Sequence, residues 1–114
     1  MDGSARISMA NIKDREEYQK ILENIIDCAH YEVTTIRNGG ISGWNVEQLE
    51  RVVIPEMITL LQYILRGELF LKYGEQQRLL ESTYLLTDSL NMLSNTPLGL
   101  QIGNLQKKIN SQKL

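Results

Sequence analysis

Histidine, cysteine and tryptophan occur once each in this chain of 114 residues, and each scarcity closes a route to function. A protein-held zinc site needs three or four nitrogen, sulfur or oxygen ligands. A nucleophile needs a base beside it. With one His30 and one Cys28 the inventory is too thin for most such sites, so no catalytic, metal-ligating or cofactor-binding residue is expected. Cys28 cannot form an intramolecular disulfide, which fits a reducing compartment. Charge of one sign is missing too. Twelve Lys+Arg against fourteen Asp+Glu leave a net charge of −2, whereas nucleic-acid binders concentrate positive charge on one face. No apolar run approaches the ~20 residues of a membrane span, and the N-terminus lacks the apolar core of a signal peptide. No phosphate-binding glycine loop, zinc spacing, nucleophile motif or internal repeat is found. These absences make nucleic acid and membrane unexpected as partners, and a cytoplasmic protein is the expectation.

At this length a single core forms without a disulfide or metal staple. Residues 1–10 are set apart from it, because Gly3-Ser4 has the look of a cloning scar and Met9-Ala10 would make an ordinary native start. The expected domain covers 11–114.

Apolar residues recur at helical spacing in four stretches. The first runs over 14–37, with Asp14 and Glu17 as an Asp-x-x-Glu capping box. Tyr18, Leu22, Ile25, Ala29 and Ile36 share a narrow arc, with Ile21 and Val33 at its edges. Asn38-Gly39-Gly40 supplies the stop. The second begins with a full start signature: Asn45 as N-cap, Gln48 closing the capping box, and Trp44 placed to staple onto Leu49. It covers 46–66 with an extension to 73, and its stripe is Ile54, Met57, Ile58, Leu61, Ile64 and Leu65. Pro55 lies inside it, so a kink or break is predicted at Arg51–Ile54. The third helix is placed at 75–94. Its main stripe of Leu79, Leu86, Leu90 and Leu93 encloses Ser82 and Thr83, hydroxyls able to bond back to their own helix. A weaker stripe holds Leu85 and Met92. Apolar on two sides, this helix is expected to be central or to touch another chain. Thr96-Pro97 opens the fourth, 97–111, with Leu98, Ile102, Leu105 and Ile109 inward, and Gly99 and Gly103 at a spacing that lets helix backbones approach closely. The fold class is therefore all-α: a four-helix up-and-down bundle with a Pro-kinked second helix and a short fourth helix, uneven enough to leave a groove near one end.

Two acidic features invite a chemical reading. Glu32 falls at the centre of the first helix's apolar arc. It reads either as a carboxylate with a raised pKa that does chemistry or as one paired with a cation or tyrosine hydroxyl, Arg78 being the candidate if the first and third helices are neighbours. Glu23, Asp27 and His30 share the opposite face. Asp27-x-x-His30 has the spacing of di-metal bundles, but those need a second such pair and two further acids, so solvated charge is the better reading. Glu81 and Asp88 are expected in solvent.

What remains is a surface. Trp44, Tyr63, Leu69, Phe70, Leu85 and Met92 are the interface candidates. The leading expectation is a small intracellular protein that is not an enzyme and works by binding another protein or itself as a homodimer: an adaptor, inhibitor or immunity-type factor. The alternatives are a homo-oligomeric structural or regulatory protein with a small apolar ligand between its helices, and a helical enzyme using Glu32.

Overall fold

A computed structural model describes residues 12–66, 79–88 and 92–110, all of them helical or in turns and loops, with no strand among them. The first helix, α1, spans Ile12–Arg37. It is already helical at Ile12, so Asp14 lies within its first turn and is not its cap. Tyr18, Leu22, Ile25, Ala29 and Val33 are buried, and Ile21, Ile26, Cys28 and Ile36 are packed against them. That broad face is covered by two other helices, because α1 packs on both the second and the fourth. The central helix is thus the first; of the two readings of the third stretch, a central place or contact with another chain, the central one does not hold.

The turn after α1 is closed by glycine for a physical reason. Gly39 has φ +86°, a left-handed conformation open to glycine at no steric cost. Gly40 N–H donates to Thr35 O at 2.8 Å and Gly39 N–H to Ile36 O at 3.0 Å. This is the Schellman pattern that satisfies a helix's last carbonyls. A Cβ on Gly40 would come within 2.9 Å of the Thr35 carbonyl oxygen. The reversal carries Ser42 back over α1, and Arg37 pairs with Glu50 at 3.0 Å.

The second helix, α2, consists of a first turn Val46–Gln48, a π-helical segment Leu49–Val53 and an α-helical body Ile54–Leu65. Its capping box forms as predicted, with Gln48 N–H to Asn45 Oδ1 at 2.8 Å and Asn45 N–H to Gln48 Oε1 at 3.0 Å. Pro55 does disturb the helix, but by widening it rather than breaking it. Ile54 N–H reaches back to Leu49 O, five residues away. The widened turn removes the regular ladder at the place where the proline ring would meet the carbonyl of Arg51. The buried face is Leu49, Val53, Ile54, Met57, Leu60 and Ile64. It is turned from the predicted stripe: Leu60 joins it, while Ile58 and Leu65 are 39 % and 54 % exposed. The proposed extension to 73 lies outside the described residues.

The third stretch departs most from expectation. Leu79 is helical and Leu80 is a turn; helix α3 covers only Glu81–Leu86. A 3₁₀ turn follows at Met92–Asn95. Leu80 is fully buried and occupies the N-cap position, where its side chain can accept nothing. The missing acceptor is Glu56 of α2, whose Oε1 takes the Thr83 N–H at 2.9 Å. Thr83 is buried, but its hydroxyl finds no partner among the described residues. The expected back-bond is made instead by Thr87, whose Oγ1 lies 3.3 Å from Thr83 O. Ser82 is exposed.

The fourth helix, α4, spans Pro97–Asn110 and buries Leu98, Ile102, Leu105 and Ile109 as predicted. It runs antiparallel to α1. Its C-terminal end meets the start of α1, where Lys108 pairs with Glu17 at 3.1 Å and sits over the Tyr18 ring, and Tyr18 Oη–H donates to Lys108 O at 3.3 Å. Its N-terminal end meets the loop after α1. The two glycines of α4 differ. A side chain at buried Gly99 would collide with the Leu93 carbonyl of the 3₁₀ turn, whereas a Cβ at Gly103 meets nothing within 4 Å. The Gly99 contact therefore serves a turn of the same chain rather than a second helix.

Candidate functional site

Two features stand out around α4, one where the loop after α1 meets its start and the other between it and α3. The first is a polar chain. Ser42 Oγ–H donates to Glu32 Oε1 at 2.6 Å and accepts the Trp44 backbone N–H at 3.1 Å. Trp44 Nε1–H donates to Thr96 Oγ1 at 3.0 Å. Thr96 Oγ1 also accepts the Gly99 N–H at 3.0 Å and donates to Leu93 O at 2.7 Å. A hydroxyl offers one hydrogen and two lone pairs, so all of its capacity is used. Trp44 is 4 % exposed. It is a core residue joining the loop to α4, and the surface role assigned to it from sequence is corrected on that ground.

Glu32 is half-buried and paired. Its partner is a serine hydroxyl, not the cation or tyrosine expected, because the Schellman turn returns Ser42 to it. The short bond is of the charge-assisted kind. Arg78 lies outside the described residues. Cys28, one turn before Glu32, has its thiol held above its ordinary pKa by burial and then by the Glu32 carboxylate, partly offset by a hydrogen bond with Gln101. That direction disfavours the thiolate and so disfavours nucleophilic use. His30, Glu23 and Asp27 are exposed, and no group of three or more metal-ligating side chains occurs among the described residues.

The second feature is an open groove of about 830 Å³ between α3 and α4. Glu81, Tyr84, Leu85 and Asp88 form one wall; Gly99, Leu100, Gly103 and Lys107 form the other. Leu85 and Leu100 are 67 % and 56 % exposed, and Glu81, Asp88 and Lys107 are exposed as well. Met92, in the 3₁₀ turn leading to the α4 wall, is 86 % exposed. The predicted pair Leu85 and Met92 is thus at the surface. Tyr63 is half-buried, with the Arg66 guanidinium 4.8 Å from its ring centre. Leu69 and Phe70 lie outside the described residues. Leu100, Gly103 and Lys107 were not singled out as site residues. The available signal was Leu100, an apolar residue off the inward stripe of α4.

A smaller cavity of about 200 Å³ lies between α1 and α4, lined by Ile21, Asn24, Gln101, Asn104 and Leu105. It falls below the ~300 Å³ at which small-molecule pockets begin, and three of its five lining residues are amides. No helix among the described residues is long and apolar enough to cross a membrane. No family model, curated protein or solved structure matches this chain.

Proposed function

We propose that this chain is a small protein-binding module of the cytoplasm, without catalytic activity of its own, and that it docks an apolar helical segment in the groove between α3 and α4. The observation that carries the reading is that groove, about 830 Å³, flanked by exposed Leu85 and Leu100. Aliphatic side chains on both rims with charges beyond them suit an amphipathic helix, whose apolar face enters a groove while its polar face stays in water. A short α3 beside a longer α4, 6 residues against 14, is how a four-helix up-and-down arrangement would leave such a groove uncovered.

The test places a photo-crosslinking amino acid at Leu85, at Leu100 and, as a control on another face, at Glu47. Groove positions should capture a defined protein band that the Glu47 position does not. Substituting Gly103→Leu within the groove should abolish the band. No capture from either groove position, or equal capture from Glu47, overturns the reading.

A further inference from the structure

We infer that the occupant of the α3–α4 groove is a second copy of this chain, docked about a two-fold axis so that Glu81 on the α3 wall of each copy meets the partner's Lys107. The inference rests on the docking reading above and names its partner. The two walls differ in sign: Glu81 and Asp88 stand on the α3 side, Lys107 on the α4 side. Glu81 and Lys107 are exposed and, among the described residues, form no ion pair with each other across the groove. A two-fold axis running along the groove brings the same patch of each copy against the other with its walls exchanged, so the acidic wall of one copy meets the basic wall of the other and the pairing is made twice. The apolar relief fits the same operation. The position over Gly103 is open, with nothing within 4 Å of a built Cβ, and Leu85 projects from the opposite wall at 67 % exposure. One wall supplies a knob and the other a hole. A docking segment for this groove needs an apolar knob flanked by charge complementary to these walls, and the chain's own α3 carries both.

Sedimentation equilibrium of the full chain at low ionic strength and high micromolar concentration tests this directly, with a dimer expected. Lys107→Glu should weaken association by about tenfold, because each reversed contact occurs twice. Adding Glu81→Lys should return the dissociation constant to within about threefold of wild type, since the swapped pair is complementary again. Gly103→Leu should weaken the dimer by at least about tenfold by filling the hole. At dilutions where both proteins are monomeric its thermal midpoint should be unchanged or higher, because leucine is the better helix former and the site is open. A wild type that stays monomeric overturns the inference. So does a dimer indifferent to both Lys107→Glu and Gly103→Leu, or a Glu81→Lys/Lys107→Glu double variant no better than Lys107→Glu alone. A monomer whose Leu85 and Leu100 positions still cross-link a foreign protein overturns the two-fold pairing and leaves the docking reading standing. A monomer that cross-links nothing overturns both.

Discussion

Helices α3 and α4 both begin at turns whose first amides need acceptors, and they obtain them from opposite sources. At α4 the acceptor is local: Thr96 caps Gly99 N–H, and Pro97 has no amide to satisfy. At α3 the acceptor is distant in sequence. Glu56, 27 residues earlier, reaches across from α2 to the Thr83 N–H. A helix that carries its own cap is defined by its sequence neighbours, and α4 spans Pro97–Asn110 against a prediction of 97–111. A helix capped by another element forms only once that element is in place. Accordingly α3 is short, and the regular apolar spacing over 75–94 overstated it.

The comparison breaks first at Thr96. Thr96→Val keeps the shape but leaves the indole N–H of Trp44 and the Gly99 N–H without their acceptor. It should cost about 2–3 kcal/mol, since each stranded buried donor costs ~1–3 kcal/mol and Thr96 is only half-buried. Urea denaturation measures it; a loss under about 0.5 kcal/mol would mean that the local cap does not hold α4.

Glu56 sharpens the other half. Glu56→Ala should cost about 1 kcal/mol, a typical capping value. Glu56→Gln, which keeps an acceptor oxygen, should lose less than Glu56→Ala. Amide exchange should accelerate at Thr83 in the alanine variant while the amides of α4 stay protected. Equal acceleration in both helices would show that they share one cap network.

The smallest effect lies at Cys28, between α1 and α4. Its thiol pKa is raised by burial and by Glu32, so alkylation should be slow at neutral pH and accelerate only in alkaline solution. Glu32→Gln removes one of the two raising causes and should speed the reaction at a fixed pH near 8. For stability the sign follows from linkage. The unfolded thiol ionises first, so the contribution is fully present below the ordinary thiol pKa of ~8.5 and falls as pH rises through the folded value. A reaction rate indifferent to Glu32→Gln would separate the carboxylate from the thiol.

Much of the fold was legible wherever local chemistry decides it. The Asn45/Gln48 capping box, the glycine stop after α1 and the inward stripe of α4 depend on residues within a few positions of one another. Pro55 was legible as a disturbance, but its resolution as a π-helical segment was not, and that segment accompanies the turned face of α2 that brought Leu60 inward. The site was harder. The exposure of Leu85 followed from its off-phase spacing in α3, whereas Met92 is exposed from a separate 3₁₀ turn that the spacing did not reveal. The groove itself requires α3 and α4 to stand side by side, which no local pattern encodes. The burial of Trp44 depends on Thr96, 52 positions away.

That separation gives the molecule a built-in optical reporter. Trp44 is the chain's one tryptophan, and its ring nitrogen is seated against the start of α4. The tryptophan fluorescence of the unlabelled protein therefore follows the docking of α4 rather than the growth of helix in general. Contacts between distant positions close large loops and tend to form slowly. In a stopped-flow refolding experiment, most of the far-ultraviolet dichroism, to which α1 and α2 contribute the largest share of the described helix, should develop ahead of the indole signal, so the interval between the two traces times the arrival of α4.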